Sequence, residues 1–132
     1  MTLVDSNILF DPFTDDPRWA GWSANQLDRL ALAGGLAIND VIYSELSVRF
    51  ETVDAVDEAL SYARVELLQM PRGALFLAGK AYRRYRSSGG TRTGVLSDFF
   101  IGAHAAAAQL PLLTRDPTRY RSYFPSIRLI TP

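Results

Sequence analysis

Four carboxylates set the terms for any chemistry in this chain: Asp5, Glu45, Asp98 and Asp116. Each falls where a strand or helix read from the sequence brings a side chain to one edge of a small α/β sheet, which is the pattern of a divalent-metal site. Other catalytic groups are scarce. There is no cysteine, His104 is the one histidine, and no serine stands beside a usable base. An enzyme built on this sequence therefore has to work through metal held by oxygen ligands. Without a cation, four neighbouring carboxylates repel one another and bind protons more readily than exposed acids do.

The elements that must gather these acids alternate in type. Thr2 to Val4 reads as a short buried strand, followed by a turn at Asp5-Ser6-Asn7. Trp19, Trp22, Leu27, Leu30 and Ala31 recur at helical spacing between Pro17 and Ala33, with Gly34-Gly35 beyond the end. Leu36 to Ile38 is a strand, and Asp40 is placed to cap a helix that carries Glu45 and runs to Phe50. Thr52 or Asp54 opens a helix to Arg64. Val65 to Met70 form a strand ending at Pro71, and a longer helix reaches Arg86. The loop Ser87 to Gly94 leads into a helix from Leu96 to Gln109 with Asp98 in its first turn; Pro111 to Thr114 and Arg128 to Ile130 are late strands.

This alternation predicts an α/β fold, one domain over residues 1–132, with a short parallel β-sheet sandwiched by α-helices. Ligands of such sheets bind beyond the carboxyl ends of the strands. Asp5 and Asp116 follow strands there. Asp98 joins them if its helix leads away from that edge, where the helix dipole favours a carboxylate, and Glu45 needs the same placement.

The formal net charge of zero hides a strong segregation. Residues 1–60 hold eleven acids and three bases, residues 61–132 three acids and eleven bases, so the halves carry −8 and +8. Thirteen of the fourteen bases are arginine, whose planar fork suits bidentate phosphate contacts. The N-terminus lacks a basic leader, and no run of apolar residues is long enough to span a bilayer. Together with the absence of cysteine, this makes the cytoplasm the expected location.

The motifs Asp5-Ser6-Asn7, Ser44-Glu45-Leu46, Asp98 with Ile101-Gly102-Ala103, and Leu112 with Thr114 and Asp116 together resemble the PIN-domain ribonucleases, most closely the VapC-type toxins of toxin-antitoxin pairs. The resemblance covers essentially the whole chain. It departs from the family pattern at Ser6, where threonine is usual, and at Tyr120, where phenylalanine is commoner. The resemblance implies an endoribonuclease that uses Mg²⁺ or Mn²⁺. Asp5 and Asp98 would be the nearest ligands, with Asp116 and Glu45 completing the site. Asn7, Thr114 and, less directly, Ser6 would orient Asp5 or a water by hydrogen bonds. It also implies a VapB-type antitoxin partner, a homodimer, and RNA as substrate, with transfer RNA as the family-level target. The alternatives are a PIN nuclease of RNA processing without a toxin role and a non-catalytic module that binds RNA or protein.

Other residues invite function less strongly. Arg83, Arg84, Arg86 and Arg92, with Lys80 and interleaved by Tyr82 and Tyr85, form a candidate RNA-contacting segment, to which Arg115 is added. Trp19 and Trp22 could line a groove for a partner helix. His104 lies six residues after Asp98, about 240° further round the helix, so it faces elsewhere and is expected at the helix surface or core edge. Asp11, Asp15, Asp16, Asp40, Asp54 and Asp57 read as caps and a solvated acidic face.

Overall fold

Short apolar runs make the strands. The computed structural model describes residues 1–132, with β1 (Thr2–Val4), β2 (Leu36–Ile38), β3 (Val65–Leu67), β4 (Leu112–Leu113) and β5 (Leu129–Ile130). All pairings are parallel, in the order β3-β2-β1-β4-β5. The three central strands have both faces covered: Leu3, Val4, Ala37, Ile38, Leu112 and Leu113 are fully buried. That is why they read as continuous apolar runs rather than alternating ones. Around the sheet lie α1 (Ser6–Phe13), α2 (Ala20–Ala33), α3 (Asp40–Ser47), α4 (Val53–Tyr62), α5 (Arg72–Ser87), α6 (Ser97–Ala108) and α7 (Thr118–Tyr123). The chain leaves β1 toward β2 and β3, then returns to pair β4 on the other side of β1. The crevice between β1 and β4 is thus the topological switch point, where such sheets bind ligands.

Several boundaries differ from the sequence reading, each for a local reason. The turn after β1 is the start of a helix. Asp5 caps α1, its carboxylate accepting from the Ser6 amide, and Pro12 lies in the last turn, where its missing N–H forgoes one intrahelical hydrogen bond. Asp16 accepts from the amides of Arg18 and Trp19 at 2.9 and 2.8 Å, so that stretch is a turn and α2 begins at Ala20 rather than Pro17. Asn39, not Asp40, caps α3. Its extended backbone lets Oδ1 accept from the Ile42 amide at 2.9 Å, while Asp40 is the first helical residue. Strand β3 stops at Leu67 instead of Met70, and α7 was not foreseen.

Packing of α5 on α6 relies on small residues. Ala74, Ala78 and Ala81 form one stripe of α5 and bury against Phe99 and Ala103 of α6 and Phe124. Gly102 serves the next contact, since a Cβ there would collide with the Phe124 ring and lie 3.1 Å from Tyr120 Cδ1. Helix α7 can therefore seat its aromatic rings directly on the α6 backbone. Gly102→Ala is expected to destabilise the fold by about 1–3 kcal/mol, the usual effect of overpacking a filled core, measurable by urea denaturation.

Candidate active site

Asp5 stands directly after β1 and is only 5% exposed. Its neighbours come from across the chain. Oδ1 accepts from the Ser6 amide at 2.9 Å, and Oδ2 accepts from Thr114 Oγ1 and from the Tyr120 hydroxyl, both at 2.9 Å. Thr114 arrives because β4 runs parallel beside β1, with Val4 opposite Leu113 and the Asp5 amide donating to the Leu113 carbonyl. Tyr120 arrives on α7, and its hydroxyl also lies 3.4 Å from Asp98 Oδ1.

Asp98 sits in the first turn of α6. That helix ends just before β4 begins, so its N-terminus is at the carboxyl edge of the sheet. Glu45, one and a half turns into α3, receives the Ser6 hydroxyl at 3.4 Å. Burial, followed by the charges of Asp5 and Asp98, pushes the Glu45 carboxyl up to about 7. Asp5 is also raised, with burial outweighing its three donors and the Asp98 charge adding to the effect. The same surroundings raise the Tyr120 hydroxyl, which stays a proton donor. Asp5, Glu45 and Asp98 thus share one electrostatic neighbourhood.

Asp116 is exposed, and its amide donates to Thr114 Oγ1 at 3.1 Å, one hydroxyl away from Asp5. No three of the acids converge closely enough to grip a single ion as they stand. The donor set nonetheless suits a hard divalent cation: all oxygen, mutually repelling and partly desolvated. Glu45 and Asp98 are partly exposed and Asp116 is exposed, so none of the three is held in place as Asp5 is.

Four side chains do other work than the sequence suggested. Asn7 does not touch Asp5; its Oδ1 accepts from the Arg115 amide at 3.3 Å and pins the loop that carries Asp116. Arg115 is not turned outward to nucleic acid, because its Nε and Nη2 grip Asp11 at 2.7 and 2.8 Å. Asp11 in turn is no solvated acid: it is 2% exposed and also accepts from Ser23 Oγ at 2.5 Å. His104 does face away from the acids, but it is buried rather than at the surface, with Nδ1 3.1 Å from Asn39 Nδ2. Since Asn39 Oδ1 is engaged by Ile42, its Nδ2 must donate, so His104 Nδ1 accepts and the ring is neutral. Burial accordingly lowers its affinity for a proton.

The basic segment is partly committed to the fold. Arg83 is exposed, while Arg84 reaches the carbonyls of Ser122 and Tyr123, and Arg86 those of Thr91 and Arg92. Tyr85 and Tyr82 accept from the amides of Arg92 and Gly94, which ties down the glycine loop. Two residues of α7 had no role assigned from the sequence: Tyr120, and Arg119, whose Nη1 lies 3.3 Å from Asp98 Oδ2. Tyr120 had one signal, its departure from the commoner phenylalanine. Trp19 and Trp22 meet edge to face at 6.4 Å, and Trp22 packs on the main core.

A family model of the PIN domain matches residues 2–123. The chain belongs to the PIN-domain family. Solved structures with the same fold include VapBC2 from Rickettsia felis bound to a DNA fragment from their promoter, at TM-score 0.74 and 19% identity over 99% of this chain and 98% of that one. DNA-bound VapBC from Salmonella typhimurium gives TM-score 0.68 and 20% identity, covering 99% and 98%. A toxin-antitoxin complex from Klebsiella pneumoniae gives TM-score 0.64 and 20% identity, covering 100% and 98%. No curated protein matches the sequence.

Two expectations follow from this PIN site. Tyr120→Phe keeps the ring but removes a donor from Asp5, and should destabilise the domain by about 1–3 kcal/mol while raising the Asp5 carboxyl further. Urea denaturation and carboxyl NMR titration would check both. Glu45 holds its proton up to about 7 in the folded state against 4.5 unfolded. Its contribution to stability is therefore complete below the unfolded value and lost as pH rises through about 7. The melting temperature of metal-free protein should fall between pH 5 and pH 8, and Glu45→Gln should flatten that fall.

Proposed function

We propose that this PIN domain is a divalent-metal-dependent endoribonuclease of the VapC type, held in check by a VapB-type antitoxin. The observation that carries the reading is the shared neighbourhood of Asp5, Glu45 and Asp98 at the β1/β4 switch point, where burial first, and then the charges of Asp5 and Asp98, push Glu45 up to about 7. Three acids in one neighbourhood, two of them, Asp5 and Glu45, opposed in their charge by burial and by the charge of Asp98, are poorly explained as structural caps. They suit a site that is completed by a cation.

Asp5 and Asp98 would hold Mg²⁺ or Mn²⁺, with Glu45 and Asp116 completing the coordination directly or through water. When bound, the ion would supply water activation and neutralise charge developing on the phosphoryl oxygens. Thr114 and Tyr120 fix the Asp5 carboxylate so that it does not have to reorganise during the reaction. Ser6 links Asp5 to Glu45 through its amide and hydroxyl. Hydrolysis adds water to phosphorus and breaks the bond to O3′, leaving a 3′-hydroxyl and a 5′-phosphate. Arg83, Arg84, Arg86 and Arg92 lie along the C-terminal part of α5 and the following loop, where they would neutralise backbone phosphates beside Tyr82 and Tyr85. Transfer RNA is the proposed target class and the cytoplasm the proposed setting.

The structural relatives support a partner. Structures of the same fold at 19% and 20% identity are of VapBC and of a toxin-antitoxin complex, and a homodimer joined to a small antitoxin fits the opposite charges of the two halves of this chain. Incubating the protein with transfer RNA and Mg²⁺ or Mn²⁺ should give cleavage that EDTA abolishes. Asp5→Ala and Asp98→Ala should each reduce it by at least about a hundredfold. Cleavage that survived EDTA or either substitution would refute metal catalysis.

A further inference from the structure

Two arginine-aspartate pairs flank the site, and they are built differently. Arg115 holds the buried Asp11 with two bonds of 2.7 and 2.8 Å, a permanent clamp. Arg119 reaches Asp98 with a single contact of 3.3 Å, and both side chains are about one-third exposed, at 36% and 35%. Pairs of that kind are weak and readily exchanged. Arg119 has other company as well. Its guanidinium carbon lies 5.9 Å from the centre of the Tyr85 ring and 5.8 Å from that of Phe99, close enough for cation-π attraction to keep it at the site mouth when Asp98 turns away. The adjacent Tyr120 is fully buried and bonded to Asp5, which fixes the backbone from which Arg119 extends.

We propose that Arg119 is a displaceable counter-ion of Asp98, which gives up the carboxylate to a divalent cation and then binds a phosphate of the nucleic-acid backbone. The role rests on the nuclease reading above and deepens it. Before metal arrives, the guanidinium offsets the charge of one acid in a crowded site. Once the cation is in place, the same guanidinium is repelled by it and freed, with its planar set of donors beside the basic end of α5, where Tyr85 already stands.

The test is Arg119→Gln, which removes the charge from a partly exposed position and should shift the melting curve little, since the pair it breaks is weak. Titration calorimetry with MnCl₂ should show several-fold tighter binding than wild type, because no cation competes for Asp98. Fluorescence anisotropy with a labelled single-stranded deoxyoligonucleotide, which presents the phosphate backbone without 2′-hydroxyls, should show weaker binding in Mn²⁺. The slope of log affinity against log salt should be shallower by about 0.7, one phosphate contact on a single strand. In EDTA, where Arg119 stays on Asp98, the two proteins should have the same slope. If wild type binds Mn²⁺ and cuts RNA, yet the variant shows either an unchanged Mn²⁺ affinity or an unchanged slope in Mn²⁺, the role of Arg119 is refuted alone. If wild type neither binds Mn²⁺ nor cuts RNA, the nuclease reading falls and this role falls with it.

Discussion

The Asp5 carboxylate is almost removed from water and lies beside another acid, an arrangement that opposes its charge by several kcal/mol unless donors surround it. Three donors do: the Ser6 amide at the start of α1, Thr114 beyond β4 and Tyr120 on α7. Charge-assisted hydrogen bonds contribute roughly 1.5–3 kcal/mol each, yet burial still wins, because the carboxyl ends up raised rather than lowered. Much of the local architecture follows from supplying those donors. Strand β4 must pair with β1 in the register that brings Thr114 alongside, and α7 must fold back over α6, which needs Gly102.

The other acids are held in place by less direct means. Asn39 caps α3, which carries Glu45, and its amide nitrogen meets His104 on α6, which carries Asp98. One buried contact therefore sets the relation between the helices bearing two of the acids. On the opposite flank, Arg115 and Asn7 fasten the loop that bears Asp116 to α1. Side chains that looked like surface features in the sequence are joints of the frame.

How legible each part was depended on whether its cause was local. Strands β1, β2 and β4 announce themselves as apolar runs cut off by polar residues, and the acids that follow β1 and β4 inherit their edge from chain topology. Asp11 was misread because nothing nearby distinguishes it from Asp15 or Asp16; its partner Arg115 is 104 residues away. His104 was placed correctly relative to Asp98 but wrongly relative to water. A surface helix has a polar side, whereas Phe99 and every residue from Ile101 to Ala105 are buried, so α6 has core on nearly all sides. Helix α7 has six residues with Tyr120 alone buried, too little periodicity to read. Its two site residues act through contacts spanning 115 and 21 positions, which leave no trace in local sequence.

Like charges placed together must be reconciled somehow, and this site uses a different device for each acid. Asp5 is immobilised by three donors and stays in place whatever binds. Glu45, half-buried with one long hydrogen bond, is relieved by taking a proton near neutral pH. Asp98, about one-third exposed, is relieved by a single 3.3 Å contact from Arg119. Asp116 is relieved by water. Only the first device is rigid; the other three are reversible and depend on a proton, a cation or solvent that a divalent ion can displace. A site with four rigidly satisfied carboxylates would be more stable without metal and would bind metal poorly. A site with none would have no fixed point about which to assemble. One fixed acid with three exchangeable ones near it is the arrangement that, on the proposed nuclease reading, would give a metal a defined place to bind while leaving the cost of emptying it small.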